Sequence, residues 1–416
     1  MMAALHHRAD WWLRPARLLT SMIACGPTDP CIVRQRLACC RALIGAALSL
    51  SCASATSPAP SRTGNAVIIA TDTNDLSVVN PSQGKVSGHI GPVPRLKSRG
   101  AISPDRSTLY LFAELDLANR EIIAIDTRTL EISWRVDIAQ LEQQALADSL
   151  PVSIGGNLMT TTPDGTRLLL NASMQDGEGF VVVDPNSREV TGFDPLVHVI
   201  DLAAVAPSSE LPNGAVLVTG VRQLGPLVYT GLFYVLDGAS LAVRDSVTVT
   251  AATDDPTGGM QQVLASPDGQ HAYVVGFQQF RYDLLSHRVT DSVATPSHGW
   301  LSISPDGSTL YRSDFGSFDL PGSGDIFVYG ADLTPRTPID VSSIAPSPTA
   351  EGQPVLTGNA VPSSDGKLLY VAAGTPRIGG IGFYEPARLL ELDTKTSRLV
   401  RAVPVAGSSP LVLFVR

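Results

Sequence analysis

Cysteine is missing from residues 53–416: all five, Cys25, Cys31, Cys39, Cys40 and Cys52, crowd into the first 52 positions. The long remainder therefore carries no disulfide, no thiolate metal site and no c-type haem attachment. Charge is also sparse, at 17% of residues. Beyond Cys52, 24 basic side chains face 37 acidic ones, a balance of −13 with no basic stripe, which argues against nucleic acid as a partner. Amphipathic helical patterning is weak, and Ala139–Leu150 is the one good helical stretch. The apolar run Ala42–Leu50 is too short for a stable transmembrane helix.

Turn formers are plentiful instead, with 36 Gly and 31 Pro. They recur in a fixed phrase. Ser103-Pro104-Asp105 returns as Pro163-Asp164-Gly165, Pro212-Asn213-Gly214, Ser266-Pro267-Asp268-Gly269, Ser304-Pro305-Asp306-Gly307 and Ser363-Ser364-Asp365-Gly366. Proline presets φ for the second position of a type I turn, Asp or Asn suits the third, and Gly the fourth. An apolar β-type run follows each copy, such as Ala272-Tyr273-Val274-Val275 or Leu368-Leu369-Tyr370-Val371. Each copy therefore marks a β-hairpin.

A second marker follows the first in several units: Ile125-Asp126-Thr127-Arg128-Thr129, Val183-Asp184-Pro185-Asn186, Leu236-Asp237-Gly238-Ala239 and Leu392-Asp393-Thr394-Lys395, with Asn80-Pro81-Ser82-Gln83-Gly84 in the first unit. Each unit thus holds four strands and two hairpin turns on one edge. The first markers are spaced 59, 49, 55, 38 and 59 residues apart, which suits a four-stranded propeller blade with loop insertions and excludes shorter solenoid repeats.

Counting units predicts an all-β, seven-bladed propeller of four-stranded antiparallel blades over residues 65–416. Six or eight blades stay open because the fourth and sixth units are irregular. Inner strands are expected to start near Gly100, Asn157, His198, Gln261, Gly299 and Gly358. The first unit, Ala66–Ile90, lacks an inner strand, and the chain ends in a lone strand, Pro410–Val415. That last strand is expected to pair into the first blade and close the ring.

Ser-Pro-Asp-Gly, a Leu-Tyr-Val-type strand and Asp-Thr-x-Thr together resemble the YVTN-type propeller repeats, relatives of WD-repeat propellers and of propeller lactonases. The resemblance covers residues from about 62 to 416 and implies the fold. It implies little about function, because the matching residues are turn formers and propellers serve as enzymes, cofactor holders and binding platforms alike.

Residues 34–56 read as a secretory signal peptide: Arg34, Arg36 and Arg41, then the apolar Ala42–Leu50. Ala53-Ser54-Ala55 offers a cleavage site, while Leu48-Ser49-Leu50-Ser51-Cys52 resembles a bacterial lipobox that would leave Cys52 lipid-modified. Both exits stay open. Residues 1–33 form an extra leader or reflect a misassigned start, and residues 57–64 a linker. Export from a bacterial cell is the expectation: periplasmic, anchored to the outer membrane, or extracellular.

The loops opposite the two turn types are the longer set, and long loops on one rim of a rigid scaffold are the usual place for binding. The ligand-binding candidates there are His198, Arg222, Tyr229, His298, Trp300, Arg377 and Tyr384. No histidines pair at metal-binding spacing, no Gly-x-Ser-x-Gly elbow occurs, and the acidic runs Asp72-x-Asn74-Asp75, Asp176-Gly177-Glu178 and Asp254-Asp255 lack full calcium-loop spacing. No catalytic residue, metal or cofactor is assigned. The expected function is a non-catalytic, monomeric binding or interaction platform for a protein, glycan or small molecule, touching membrane only through a lipid on Cys52. The alternative is a lactonase-like hydrolase or other propeller enzyme with its site in the central channel, where His298, Arg222 and Arg377 would polarise a carbonyl. A quinone-dependent or metal-assisted oxidoreductase ranks third, since residues 53–416 hold only Trp134 and Trp300.

Overall fold

The repeated phrase folds through its own side chains. Ser103, Ser266, Ser304 and Ser363 each donate a hydroxyl proton to Oδ1 of the Asp two residues on, at 2.5–2.7 Å. Thr162 does the same to Asp164 at 2.6 Å. The serine Oγ in turn accepts the backbone N–H of Thr108, His271, Thr309 and Leu368 at 2.9 Å. Asp Oδ1 also accepts the N–H of Ser107, Gln270, Ser308 and Lys367. The pair supplies the hydrogen bonds that a turn takes from its strands, so its spacing is strict. The hydroxyl of Ser103 and the N–H of Ser107 hold the Asp105 carboxyl at about 2, and Ser363 with Lys367 does the same for Asp365.

The fourth position lies in the left-handed region. Gly165, Gly269, Gly307 and Gly366 have φ of 69–73°. These glycines also face the preceding blade: a Cβ on Gly165 would lie 3.2 Å from Pro104 Cδ, and on Gly366 3.5 Å from Pro305 Cδ. The phrase is therefore a contact between blades as well as a bend. In the first copy Arg106 takes this position at φ 58°. Its guanidinium donates to Val415 O at 2.9 Å and lies 5.5 Å from the Phe414 ring centroid.

The computed structural model of the chain describes residues 66–416, except positions 95, 97–99, 117–118, 148–149, 151, 175–176, 197, 226–227, 250–259, 277, 295–298, 315–323, 346–354, 376–385 and 409. The signal peptide expected at 34–56, Cys52, the linker at 57–64 and the rim candidates His298, Arg377 and Tyr384 lie outside the described residues.

The described residues form seven four-stranded antiparallel sheets. Blade 2 runs from Ala101 to Asp137, blade 3 from Val152 to Pro195, blade 4 from His198 to Thr248, blade 5 from Met260 to Ala294, blade 6 from Gly299 to Asp340 and blade 7 from Leu356 to Pro404. Blade 1 combines Val67–Ala70, Leu76–Asn80 and Lys85–Ile90 with the C-terminal strand Leu411–Val415. That strand pairs Val67 with Val415, Ile68 with Phe414 and Ile69 with Val412, which closes the ring. The irregular fourth and sixth units are each a full blade, which settles the count at seven. The inner strand of blade 3 starts at Val152, earlier than Asn157, because its register slips between Ile154 and Met159.

The second turn recurs in every blade. Its Asp or Asn caps the bend, as where Asp126 Oδ1 accepts the N–H of Arg128 and Thr129. The closing residue again has positive φ: Gly84, Leu130, Arg188, Leu241, His287, Leu333 and Ser397. Only one of these is glycine, and the blade 5 turn, Asp283–His287, holds no glycine or proline at all.

Apolar side chains fill the seams between blades. The helix Ile138–Ala147 packs Ile138, Leu141 and Ala145 into the seam of blades 2 and 3. Near the axis, side-chain oxygens clamp the backbone of the next inner strand. Asn359 Nδ2 donates to Val412 O at 2.6 Å while Oδ1 accepts the Val412 N–H at 2.8 Å. Gln262 binds Leu301 likewise at 2.9 and 2.6 Å, and Asp201 Oδ2 accepts the Val263 N–H at 2.9 Å.

Candidate functional site

The second and third strands of blade 4, Ala215–Gly225 and Val228–Asp237, are 11 and 10 residues long, the longest such pair among the described residues. Val, Thr, Tyr and Phe dominate them, side chains that suit a pleated, half-buried surface. The first strand is buried from Ala215 to Val221 and exposed at Arg222, Gln223 and Leu224. The tip thus rises past the seam packing. Leu224 is 58% exposed and Val228 38%, two apolar side chains with much of their surface open to solvent.

Arg222 donates from Nη2 to the Tyr234 hydroxyl at 3.5 Å, and Tyr234 is buried in the seam of blades 3 and 4. Tyr229 pairs across the hairpin with Gln223 and is half-buried. His198 opens the inner strand of the same blade and pairs with Val221, beside Arg222. Its Nδ1 lies 2.7 Å from Glu178 Oε2 on blade 3. The His198 side chain is 51% exposed and that of Glu178 45%, so this pair faces solvent. On the outer strand of blade 3, Asp194 pairs with Phe180, and burial pushes its carboxyl upward.

His198, Arg222 and Tyr229 lie at one end of blade 4, but strand alternation puts Tyr229, opposite Gln223, on the face away from Arg222. Trp300 does not join them; it sits on the inner strand of blade 6, where its carbonyl accepts from Ser313 Oγ at 3.4 Å. Glu178 was not legible in the sequence as a partner of this rim. Glu178 stood out only as part of Asp176-Gly177-Glu178, and no local spacing ties it to a histidine twenty residues on. Asp72, from another acidic run, accepts from the Ser408 N–H and hydroxyl at 2.6 Å each, fastening the closing segment. Among the described residues no group of three or more His, Cys, Asp or Glu could hold a metal ion.

Two further histidines meet carboxylates on the turn side: His271 lies 3.8 Å from Asp283, and His287 lies 3.5 Å from Asp245. Asp245 also accepts the Tyr282 hydroxyl, fixing the outer strand of blade 4 to blade 5. Burial first, and that bond second, push the Tyr282 hydroxyl upward.

No family model and no curated protein matches the chain. Solved structures match in fold. A functionally unknown protein from Desulfotomaculum acetoxidans is 12% identical with a TM-score of 0.53, over 84% of this chain and 99% of that one. Dihydro-heme d1 dehydrogenase NirN is 11% identical with a TM-score of 0.50, over 85% of this chain and 75% of that one. Kuenenia stuttgartiensis hydrazine synthase is 13% identical with a TM-score of 0.49, over 74% and 90%. Likeness at this level concerns the propeller fold alone.

Proposed function

We propose that this chain is an exported, non-catalytic β-propeller that binds a protein, glycan or small-molecule ligand on its long-loop rim, centred on the blade 4 hairpin. The hairpin tip carries the reading: Leu224 and Val228 are exposed apolar side chains standing beside Arg222 and Tyr229. Apolar side chains with Arg and Tyr are the composition of contact surfaces. The signal-like leader supports export. The test is a thermal-shift and binding screen of purified protein against glycans, Ca²⁺, lactones and peptides. A binder should lose at least about tenfold in affinity, roughly 1.4 kcal/mol, with the Arg222→Glu, Leu224→Asp double variant. Equal binding by that variant would move the site off the hairpin.

A lactonase-like hydrolase is the second reading, favoured by one contact. Glu178 would orient His198 through Nδ1 and leave Nε2 to act as a base. Solvent around both side chains weakens that role, because a base this exposed has no water-excluding pocket around it. Lactone hydrolysis that disappears with His198→Ala would replace the binding reading with this one.

A further inference from the structure

Two positions before the Asp, Asn or Gly that opens each second turn, the third strand aims a side chain at the following blade. In five blades that side chain is Val78, Ala124, Val182, Val235 or Val328, packed among apolar neighbours. Blades 5 and 7 place charge there, of opposite sign, as Arg281 and Glu391. In blade 5, Tyr273, Arg281 and Asp291 stand side by side on the second, third and outer strands. Arg281 forms an ion pair with Asp291 at 2.6 Å. Arg281 and the Tyr273 hydroxyl both donate to Ala331 O, in the second turn of blade 6, at 3.2 and 3.0 Å. In blade 7 the same row reads Tyr370, Glu391 and Arg401. Arg401 donates from Nη1 to Pro81 O, in the second turn of blade 1. Glu391 is 2% exposed, and its Oε1 has no hydrogen-bond partner.

Blade 1 lines this seam with Val67, Val79 and Val415, each at most 4% exposed. Its outer strand adds His89, opposite Ser77 and exposed. From the turn of blade 7, Asp365 acts on Tyr370 and pairs with Lys367 at 3.2 Å. Burial pushes the Glu391 carboxyl upward against the opposing charge of Arg401. The Tyr370 hydroxyl is pushed up to about 12, by burial first and by Glu391 second. The strands from Val67 to Ile90 lie at the opposite end of the sequence from blade 7, so pairing with Leu411–Val415 and this seam, not a chain link, hold the two together. We infer that the seam between blades 7 and 1 is a proton-operated latch, firmest when Glu391 is protonated and loosened when it ionises. A carboxylate in a dry seam without a full set of hydrogen bonds is costly, and a neutral acid much less so. A carboxyl whose folded value lies above its usual 4.5 stabilises fully below 4.5 and loses that contribution as pH rises through the folded value. The turn carboxylates Asp105 and Asp365 act in the opposite sense. The latch is separate from the blade 4 hairpin and does not rest on the function proposed for it.

The test is native-state hydrogen exchange on the purified protein, with rates corrected for the intrinsic pH dependence of exchange. Protection across Leu76–Asn80 and Lys85–Ile90 should fall by at least about fivefold as pH rises from about 4.5 to about 8. In Glu391→Gln, an uncharged side chain of the same shape, it should fall by less than about twofold. Glu391→Val, which installs the residue of Val78, Val182 and Val235, gives the same reading should the Gln variant fail to fold. Infrared difference spectra supply a readout that packing alone would not move: a carboxylic-acid band lost over the same pH range and missing from Glu391→Gln. An equal fall in the wild type and Glu391→Gln would overturn the proposal, as would flat protection in the wild type. An acid band that survives at the upper pH would show the carboxyl locked in its neutral form, and would overturn it too.

Discussion

The ring closes without a covalent bond inside blade 1, where the C-terminal strand Leu411–Val415 pairs with Val67–Ala70, so the Asn359 clamp on that strand is the place to measure what closure is worth. Asn359 is 3% exposed and Val412, whose backbone it binds twice, 1%. Replacing Asn359 with Ala strands one N–H and one C=O where water has little access. Each such group costs about 1–3 kcal/mol, so the expected loss is about 2–6 kcal/mol. Asn359→Asp should be no better than Ala: it keeps an acceptor for the Val412 N–H but sets a carboxylate oxygen against the Val412 carbonyl. Gln262→Ala removes the same two bonds between the inner strands of blades 5 and 6, neither of which is the closing strand. Urea unfolding should therefore give similar losses for Asn359→Ala and Gln262→Ala. Native-state hydrogen exchange should separate them, because only Asn359→Ala frees Leu411–Val415 to open locally. Loss of less than about 1 kcal/mol in Asn359→Ala, or unchanged exchange across Leu411–Val415, would refute the reasoning.

Three further outcomes are expected. Arg106→Ala keeps the left-handed backbone and discards the clamp on Val415, so it should cost about 1–2 kcal/mol, while Arg106→Gly should recover part of that by relieving strain; the order wild type, Gly, Ala in denaturation midpoints is the check. Gly165→Ala should cost about 1–2 kcal/mol, because its φ is 73° and its Cβ would crowd Pro104, whereas Gly192→Ala, with nothing within 4 Å, should stay within about 0.5 kcal/mol by the same assay. Acid should unfold the protein in a defined window. The turn carboxylates Asp105 and Asp365 lie at about 2 in the folded chain against a usual 3.8, so they stabilise above that usual value and lose the contribution as pH falls from 3.8 toward 2. Asp105→Asn should flatten the pH dependence of the midpoint across that window.

The turns were legible because their chemistry is local. A turn-forming phrase of three or four residues bends the chain whatever surrounds it, and its six copies located six of the seven blades. The second turns of blades 5 and 6 were not legible. Asp283–His287 and Gly330–Leu333 place a histidine and a leucine at positive φ, supported in blade 5 by Asp283 accepting the N–H of Leu285 and Ser286. Of the rim candidates, His198 and Arg222 stood out by residue type, but the partner of His198 did not, because Glu178 belongs to another blade.

The choice of seven blades over six or eight came from the tertiary structure, while alternation of apolar residues and recurrence of one bend determined the rest of the architecture: four-stranded blades and a last strand with nowhere to pair except beside the first. These follow from the sequence because hairpin turns and strand periodicity are short-range. The tertiary structure decided what meets across the seams. That Pro104 packs on Gly165, that Arg106 reaches Val415, and that Gln262 clamps Leu301 depends on neighbouring blades being stacked at equal height. Closure of the ring imposes that height on every blade, and no local pattern in the chain encodes it.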